Sequence, residues 1–114
     1  MRRREQTQWQ DPASGYVRRN LSPPEISQPL ELVEVKFPAG ARVAFENPLQ
    51  ETCVYQQVWI LSGRMEITLG NESYQLGEGD CLALKLDQPI MFHNPTQKTA
   101  RYLVAITNAG PGKR

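Results

Sequence analysis

Apolar and polar residues alternate along several short runs of this chain, and turn-forming residues separate the runs. Leu30 to Phe37 places Val33, Val35 and Phe37 on one face and charged side chains on the other, which is typical of a half-buried antiparallel strand. Residues 54–80 repeat the pattern as strand pairs with glycines at the turns between them. Strands that recur roughly every eight to twelve residues are typical of an all-β sandwich or barrel.

The alternation predicts short strands throughout the chain and no helical stripe. Residues 16–19 are expected to form a short edge strand. The other expected strands cover residues 30–37, 42–45, 52–61, 63–69, 73–76, 81–86, 90–93 and 100–107. Open sheet edges favour aggregation, so such strands should close on themselves or stack as two sheets. The predicted fold is therefore an all-β, antiparallel jelly roll. Its expected core comprises Val33, Val35, Phe37, Val58, Ile60, Met65, Ile67, Leu82, Leu84, Phe92 and Val104.

Length and charge limit the classes of protein to which the chain can belong. Its 114 residues predict one domain, with a flexible tail or linker stump at residues 1–8, a barrel at 9–107 and a second tail at 108–114. The net charge of +1 gives no overall attraction to nucleic acid or membranes. With no apolar run long enough to cross a bilayer, we expect a cytoplasmic protein. Cys53 and Cys81 are predicted to be small buried hydrophobic residues.

The order of the turn residues resembles that of the cupin family over residues 30–106. The matching motifs are Pro38-Ala39-Gly40, Val58 to Gly63, Leu76 to Asp80 and Asn94-Pro95. The flanks, Trp9 to Ser22 and Ala100 to Val104, resemble the cupin half of bacterial transcriptional regulators, in which a helix-turn-helix domain precedes the cupin. This resemblance implies a double-stranded β-helix that is either the sensor half of a regulator or a stand-alone relative.

The resemblance also implies a metal site, and the matching positions do not supply it. Cupins hold a divalent ion with histidines and a glutamate, whereas the corresponding positions here carry Gln50, Thr52, Gln56 and Ile90. Amide and aliphatic side chains cannot replace imidazole and carboxylate ligands. His93 lies three residues beyond the expected position, and strand alternation places it outside the barrel. We therefore predict that the domain uses no metal or other cofactor.

The same positions suggest a pocket for a small organic ligand. The polar group Gln50, Thr52 and Gln56 is expected at the mouth of a cavity that Met65, Ile90 and Phe92 close, with Tyr102 at the rim. Uncharged hydrogen-bonding groups beside an apolar wall suit a neutral or carboxylate-bearing molecule. Alternatively, these polar side chains satisfy one another inside a barrel that binds nothing.

Three functions remain open from the sequence. The leading hypothesis is a metal-free ligand-sensing and dimerisation module of a transcriptional regulator, which contacts DNA only through a separate helix-turn-helix domain absent from this chain. Trp59, Leu61 and Met91 are expected to point outward, where the segment Trp9 to Leu21, a subunit interface or both would cover them. We expect a homodimer and no membrane contact. The second hypothesis is a metal-independent isomerase or epimerase with Tyr74 or Tyr102 as proton donor. The third is a purely structural dimerisation domain.

Overall fold

The computed structural model describes residues 2–23, 30–46 and 54–108, and these ranges form a β-structure with one short 3-10 turn. The turn covers Arg3–Glu5. The strands are β1 Gln8–Gln10, β2 Val17–Asn20, β3 Leu30–Phe37, β4 Arg42–Phe45, β5 Val54–Ser62, β6 Met65–Leu69, β7 Glu72–Leu76, β8 Cys81–Lys85, β9 Ile90–His93 and β10 Ala100–Asn108. No helix in the described part of the chain is long and apolar enough to cross a lipid bilayer.

The strands form two sheets whose inner faces share one core. The large sheet has the order β1-β2-β3-β10-β5-β8, and the small sheet has the order β4-β9-β6-β7. Neighbours in both sheets pair in the antiparallel sense, for example β10 with both β3 and β5. This arrangement confirms the predicted all-β jelly roll.

The core follows from the alternation of each strand. Ten of the predicted core residues are buried, and Leu82 is partly buried against them. Tyr102 lies opposite Val35 on one side and Ile60 on the other, so these side chains share the inner face. The core also includes Leu76, Ile90, Ala100 and Tyr102.

Two expectations from the sequence need correction. The segment at residues 16–19 was expected to be an edge strand, but β1 pairs with β2 and occupies the edge instead. Cys81 is exposed rather than buried, because the inward positions of β8 belong to Leu82 and Leu84 and alternation turns Cys81 outward. Cys53 lies outside the described residues. The expected tail boundaries stay a prediction.

The loop between β9 and β10 is fastened to the core by Asn94. This side chain is fully buried. Its Nδ2 donates to the carbonyl oxygens of Phe37 and Lys98 at 3.1 and 2.7 Å, and its Oδ1 accepts from the backbone nitrogen and hydroxyl of Thr96. Every hydrogen-bonding position of the amide is used, which explains how a buried polar residue is tolerated here.

Candidate ligand cavity

A cavity of about 250 Å³ lies between the two sheets, beside the core. Strands of both sheets contribute apolar side chains to its wall. These are Val33, Val35, Phe37, Phe45, Leu86, Ile90, Phe92, Val104 and Ile106. The polar side chains that line it are Tyr16, Arg18, Glu46, Gln56 and Tyr102. A mostly apolar wall with a few polar groups is typical of small-molecule sites.

Aromatic rings form a continuous part of the wall. Phe92 and Tyr102 stack with ring centroids 5.9 Å apart and planes 6° from parallel. Phe45 meets Phe92 edge-on at 5.9 Å, and Tyr16 stacks on Phe37 at 5.8 Å. Offset and edge-on contacts of this kind stabilise the wall beyond simple burial, so the cavity has a rigid, flat side.

Tyr102 is the most buried of the polar residues that line the described cavity. The residue is only 3% exposed, and its hydroxyl makes no hydrogen bond to any described residue. Burial raises the pKa of Tyr102 well above its usual value, so the phenol stays protonated and can donate or accept a hydrogen bond. The amide of half-buried Gln56 likewise has no partner among the described side chains. Both groups are therefore available to hydrogen-bond with a bound molecule, each bond contributing about 1 kcal/mol net.

The structure brings four of the seven sequence-predicted site residues together. Gln56, Ile90, Phe92 and Tyr102 all line the cavity, although Tyr102 forms part of the inner wall rather than the rim. Met65 does not line it, since Met65 starts β6 beside the turn at Gly63 and pairs with Leu76, away from Ile90. Gln50 and Thr52 lie outside the described residues. A role for these residues in ligand binding stays a prediction.

Sequence reasoning missed Tyr16, Arg18 and Glu46. Tyr16 and Arg18 reach the cavity because β2 pairs with β3, which sets Arg18 opposite Val35 on the inner face. The alternation of β2 did indicate that Arg18 and Arg19 point to opposite faces. It did not indicate which of the two points inward, since that depends on the register with β3.

His93 lies outside the barrel, as the alternation of side chains along its strand indicated. Its Nδ1 is 2.9 Å from Oε1 of Glu66 on the outer face of the small sheet, while Ile90 and Phe92 of the same strand point inward. The hydrogen bond with His93 is the main cause of the lowered pKa of Glu66.

The described residues do not fit a divalent metal site. Within residues 2–23, 30–46 and 54–108, no three histidine, cysteine, aspartate or glutamate side chains converge. The described lining of the cavity offers a single carboxylate, Glu46, and no imidazole. Divalent ions in proteins need several such ligands together.

Comparison with known proteins gives a family and a fold. A family model described as a cupin domain matches residues 34–106. The cupin domain of an XRE family transcriptional regulator from Enterobacter cloacae is similar in fold, with a TM-score of 0.71 and 17% identity over 81% of this chain and 95% of that chain. No curated protein matches the chain.

Two further solved structures show how varied the proteins with this fold are. An HTH_3 family transcriptional regulator from Vibrio cholerae has a TM-score of 0.72 and 18% identity over 84% of this chain, which spans 53% of that protein. Ectoine synthase from P. lautus has a TM-score of 0.68 and 16% identity, over 86% of this chain and 67% of that one. At these identities the likeness establishes the fold alone.

Proposed function

The chain belongs to the cupin family, and we propose that within this family it is a metal-free, small-molecule-binding module. The observation that carries the proposal is the cavity between the sheets, whose mostly apolar and partly aromatic wall includes Gln56 and Tyr102 as hydrogen-bonding side chains. Hydrogen-bonding side chains beside an apolar wall are the combination that fixes a small molecule in such a cavity.

The biological role that we propose is effector sensing and dimerisation for a transcriptional regulator in the cytoplasm. The flanking segments and the fold both resemble the cupin parts of regulators. DNA contact would then belong to a separate helix-turn-helix domain. Whether such a domain is encoded in frame before Met1 is a direct test of this role.

An enzymatic role has less support from the geometry. Tyr74, one of the two candidate proton donors, is not among the cavity-lining residues, and its hydroxyl donates to Oε1 of Glu72 at 2.6 Å. Tyr102 lines the cavity, but the raised pKa caused by its burial makes it a weak acid near neutral pH. A purely structural dimerisation domain would explain the apolar outer face of the large sheet, but it would leave the cavity unexplained.

Native mass spectrometry of the protein as purified tests for a retained ligand. We expect a small organic molecule at up to one equivalent per chain, and we expect Gln56→Leu to reduce its occupancy without unfolding the domain. Gln57→Leu is the matched control, because Gln57 is the next residue of β5 and points to the outer face. Equal occupancy in both variants would contradict a role for Gln56.

Elemental analysis and chelation test the metal-free part of the proposal. We expect no stoichiometric metal in the purified protein and no change in melting temperature when a strong chelator is added. A transition metal at one equivalent, lost together with stability on chelation, would contradict the proposal and return a metal-dependent activity to first place.

A further inference from the structure

Two neighbouring arginines on β2 have opposite surroundings. Arg19 points to the outer face, where its guanidinium pairs with the buried carboxylate of Glu34. Arg18 points to the inner face opposite Val35 and lines the cavity. Among the described residues, no carboxylate lies within ion-pair distance of Arg18. Within the described ranges, the arginine that supports the sheet is therefore ion-paired and the arginine of the cavity is not.

The positive charge of Arg18 lies at the wall of a mostly apolar cavity, where it attracts an anion more strongly than it would in bulk water. Arg18 is half-buried, and its charge acts on Tyr16 and Tyr102, where it opposes the effect of burial on the pKa of each phenol. A guanidinium presents a planar fork of donors that matches a carboxylate with two parallel hydrogen bonds. An organic anion in the cavity would satisfy both the charge and this geometry.

Glu46 is the described acidic side chain in the cavity lining, and it limits what can bind. It is exposed, whereas Arg18 is half-buried. Water screens the repulsion from an exposed carboxylate more than it screens the attraction of a half-buried guanidinium. A ligand whose carboxylate lies at Arg18 and whose apolar body lies against Phe92 and Tyr102 is therefore compatible with Glu46.

The cavity also limits the size of the ligand. Its 250 Å³ equals the volume of about eight water molecules in the liquid. A single ring or a short aliphatic chain with one acidic group is of this size.

We infer that Arg18 makes this cavity selective for small organic carboxylates, with the carboxylate on the guanidinium and the apolar body against the Phe92–Tyr102 wall. This inference rests on the proposed ligand-binding function and specifies its ligand class. Gln56 and the Tyr102 hydroxyl then form hydrogen bonds with neutral polar groups of the same molecule.

Matched acid and amide pairs test the inference, because the two members of a pair differ only in charge. The probes are 3-phenylpropionate with 3-phenylpropanamide, and hexanoate with hexanamide, each titrated by calorimetry into the whole chain. We expect each acid to bind at least about tenfold more tightly than its amide. Raising the salt concentration should reduce the affinity of the acids more than that of the amides.

Substitutions of Arg18 test whether this residue causes the preference for acids over amides. Arg18→Gln is expected to remove the preference by weakening the acids while leaving the amides unchanged, and Arg18→Lys should restore part of it. Arg64→Gln is the matched control, since Arg64 is exposed and is not among the residues lining the cavity. If Arg18→Gln does not fold, Arg18→Lys and the salt dependence of the wild-type chain still decide the question.

The possible results separate the inference from the proposed function. Equal binding of acids and amides to the wild-type chain, or equal weakening of both by Arg18→Gln, would overturn the inference and leave a ligand-binding cavity in place. A neutral or cationic molecule retained in the purified protein would likewise overturn the inference and leave the proposed ligand-binding function in place. If no probe binds and no molecule is retained, both the inference and the proposed function are overturned.

Discussion

A methyl group at Gly63 would collide with the backbone of a neighbouring strand. Gly63 has a φ of +85°, and a Cβ there would lie 2.9 Å from the Cα of Ala100 and 3.2 Å from the carbonyl oxygen of Thr99. Glycine is therefore required at this turn for two reasons, because it adopts the left-handed conformation and because it has no side chain. The close approach of the turn to the start of β10 depends on it.

Gly63→Ala is accordingly expected to destabilise the domain by about 2–5 kcal/mol, the sum of a left-handed alanine and local overpacking. Gly40→Ala is the matched control, because Gly40 has a φ of +73° but no atom beyond its two neighbours in the chain lies within 4 Å of the place that an alanine methyl would take. It should cost only about 1–2 kcal/mol. Urea denaturation measures both, and equal losses would show that the contact with Ala100 contributes nothing.

At the scale of residues, the sequence predicted the core well and the cavity in part. Alternation within a strand is a local property, so Val33, Ile60 and Ile67 could be assigned to the core without knowing their partners. The cavity combines residues from strands that are distant in sequence. Arg18 was missed because its position depends on the pairing of β2 with β3, which no local pattern reveals.

Among the strands, β2, β3 and β10 are joined by charges on the outer face of the large sheet. Glu34 of β3 is 5% exposed and pairs with Arg19 of β2. Its Oε2 also accepts hydrogen bonds from Nε and Nη2 of Arg101 on β10, at 2.9 and 2.7 Å. One buried carboxylate thus links three adjacent strands, including the one that carries Arg18.

Glu34→Gln tests this link through the pH dependence of stability. Burial by itself would raise the pKa of Glu34, but the hydrogen bond from Arg101 and the charge of Arg19 outweigh it and hold the pKa below its usual value of 4.5. The ionised carboxylate therefore contributes stability above about pH 4.5, and that contribution is lost as the pH falls through the lowered pKa. We expect the variant to lose about 3 kcal/mol at pH 7.

The difference in the free energy of unfolding between wild type and Glu34→Gln should shrink below pH 4.5. Denaturant unfolding across the acid range measures this difference. Glu31→Gln is the control on the same strand, because Glu31 is exposed and makes no ion pair within the described ranges. A difference that stays constant down to pH 3 would mean that ionisation of Glu34 does not stabilise the sheet.

The strands themselves could be predicted from the sequence except near the amino terminus. Those of residues 30–37, 42–45 and 90–93 have the predicted bounds, because clear alternation and turn residues delimit them. Strand β1 was missed because three residues, Gln-Trp-Gln, carry too little pattern to distinguish a strand from a loop. Strand β1 forms because it pairs with β2, and the turn between the two strands brings them into register.

On the scale of the whole molecule, the outer face of the large sheet leaves an apolar surface. Trp59 is 47% exposed and Leu32 37% exposed. Together with Cys81, Leu103 and Ala105, these residues line a shallow depression. A second copy of the chain that packs the same face against it would remove this surface from water, as in many two-fold dimers.

We expect a concentration-dependent dimer that Trp59→Glu dissociates, because a buried charge at the centre of such an interface is strongly unfavourable. Analytical ultracentrifugation measures the mass, and circular dichroism checks that the variant still folds. Gln97→Glu, an exposed change in the loop before β10, is the control. A wild-type chain that stays monomeric at all concentrations would contradict the dimer.

The positions of the two tryptophans give the molecule a pair of separate optical reporters. Trp9 meets Tyr16 edge-on at 5.7 Å, and Tyr16 lines the cavity, while Trp59 stands on the opposite side of the large sheet. Indole emission shifts with the polarity of its surroundings. In a Trp59→Phe chain the remaining emission would therefore follow events in the barrel, and in a Trp9→Phe chain it would follow the outer face. If the cavity binds a ligand and the outer face mediates self-association, these two variants would follow the two events separately, without an added dye.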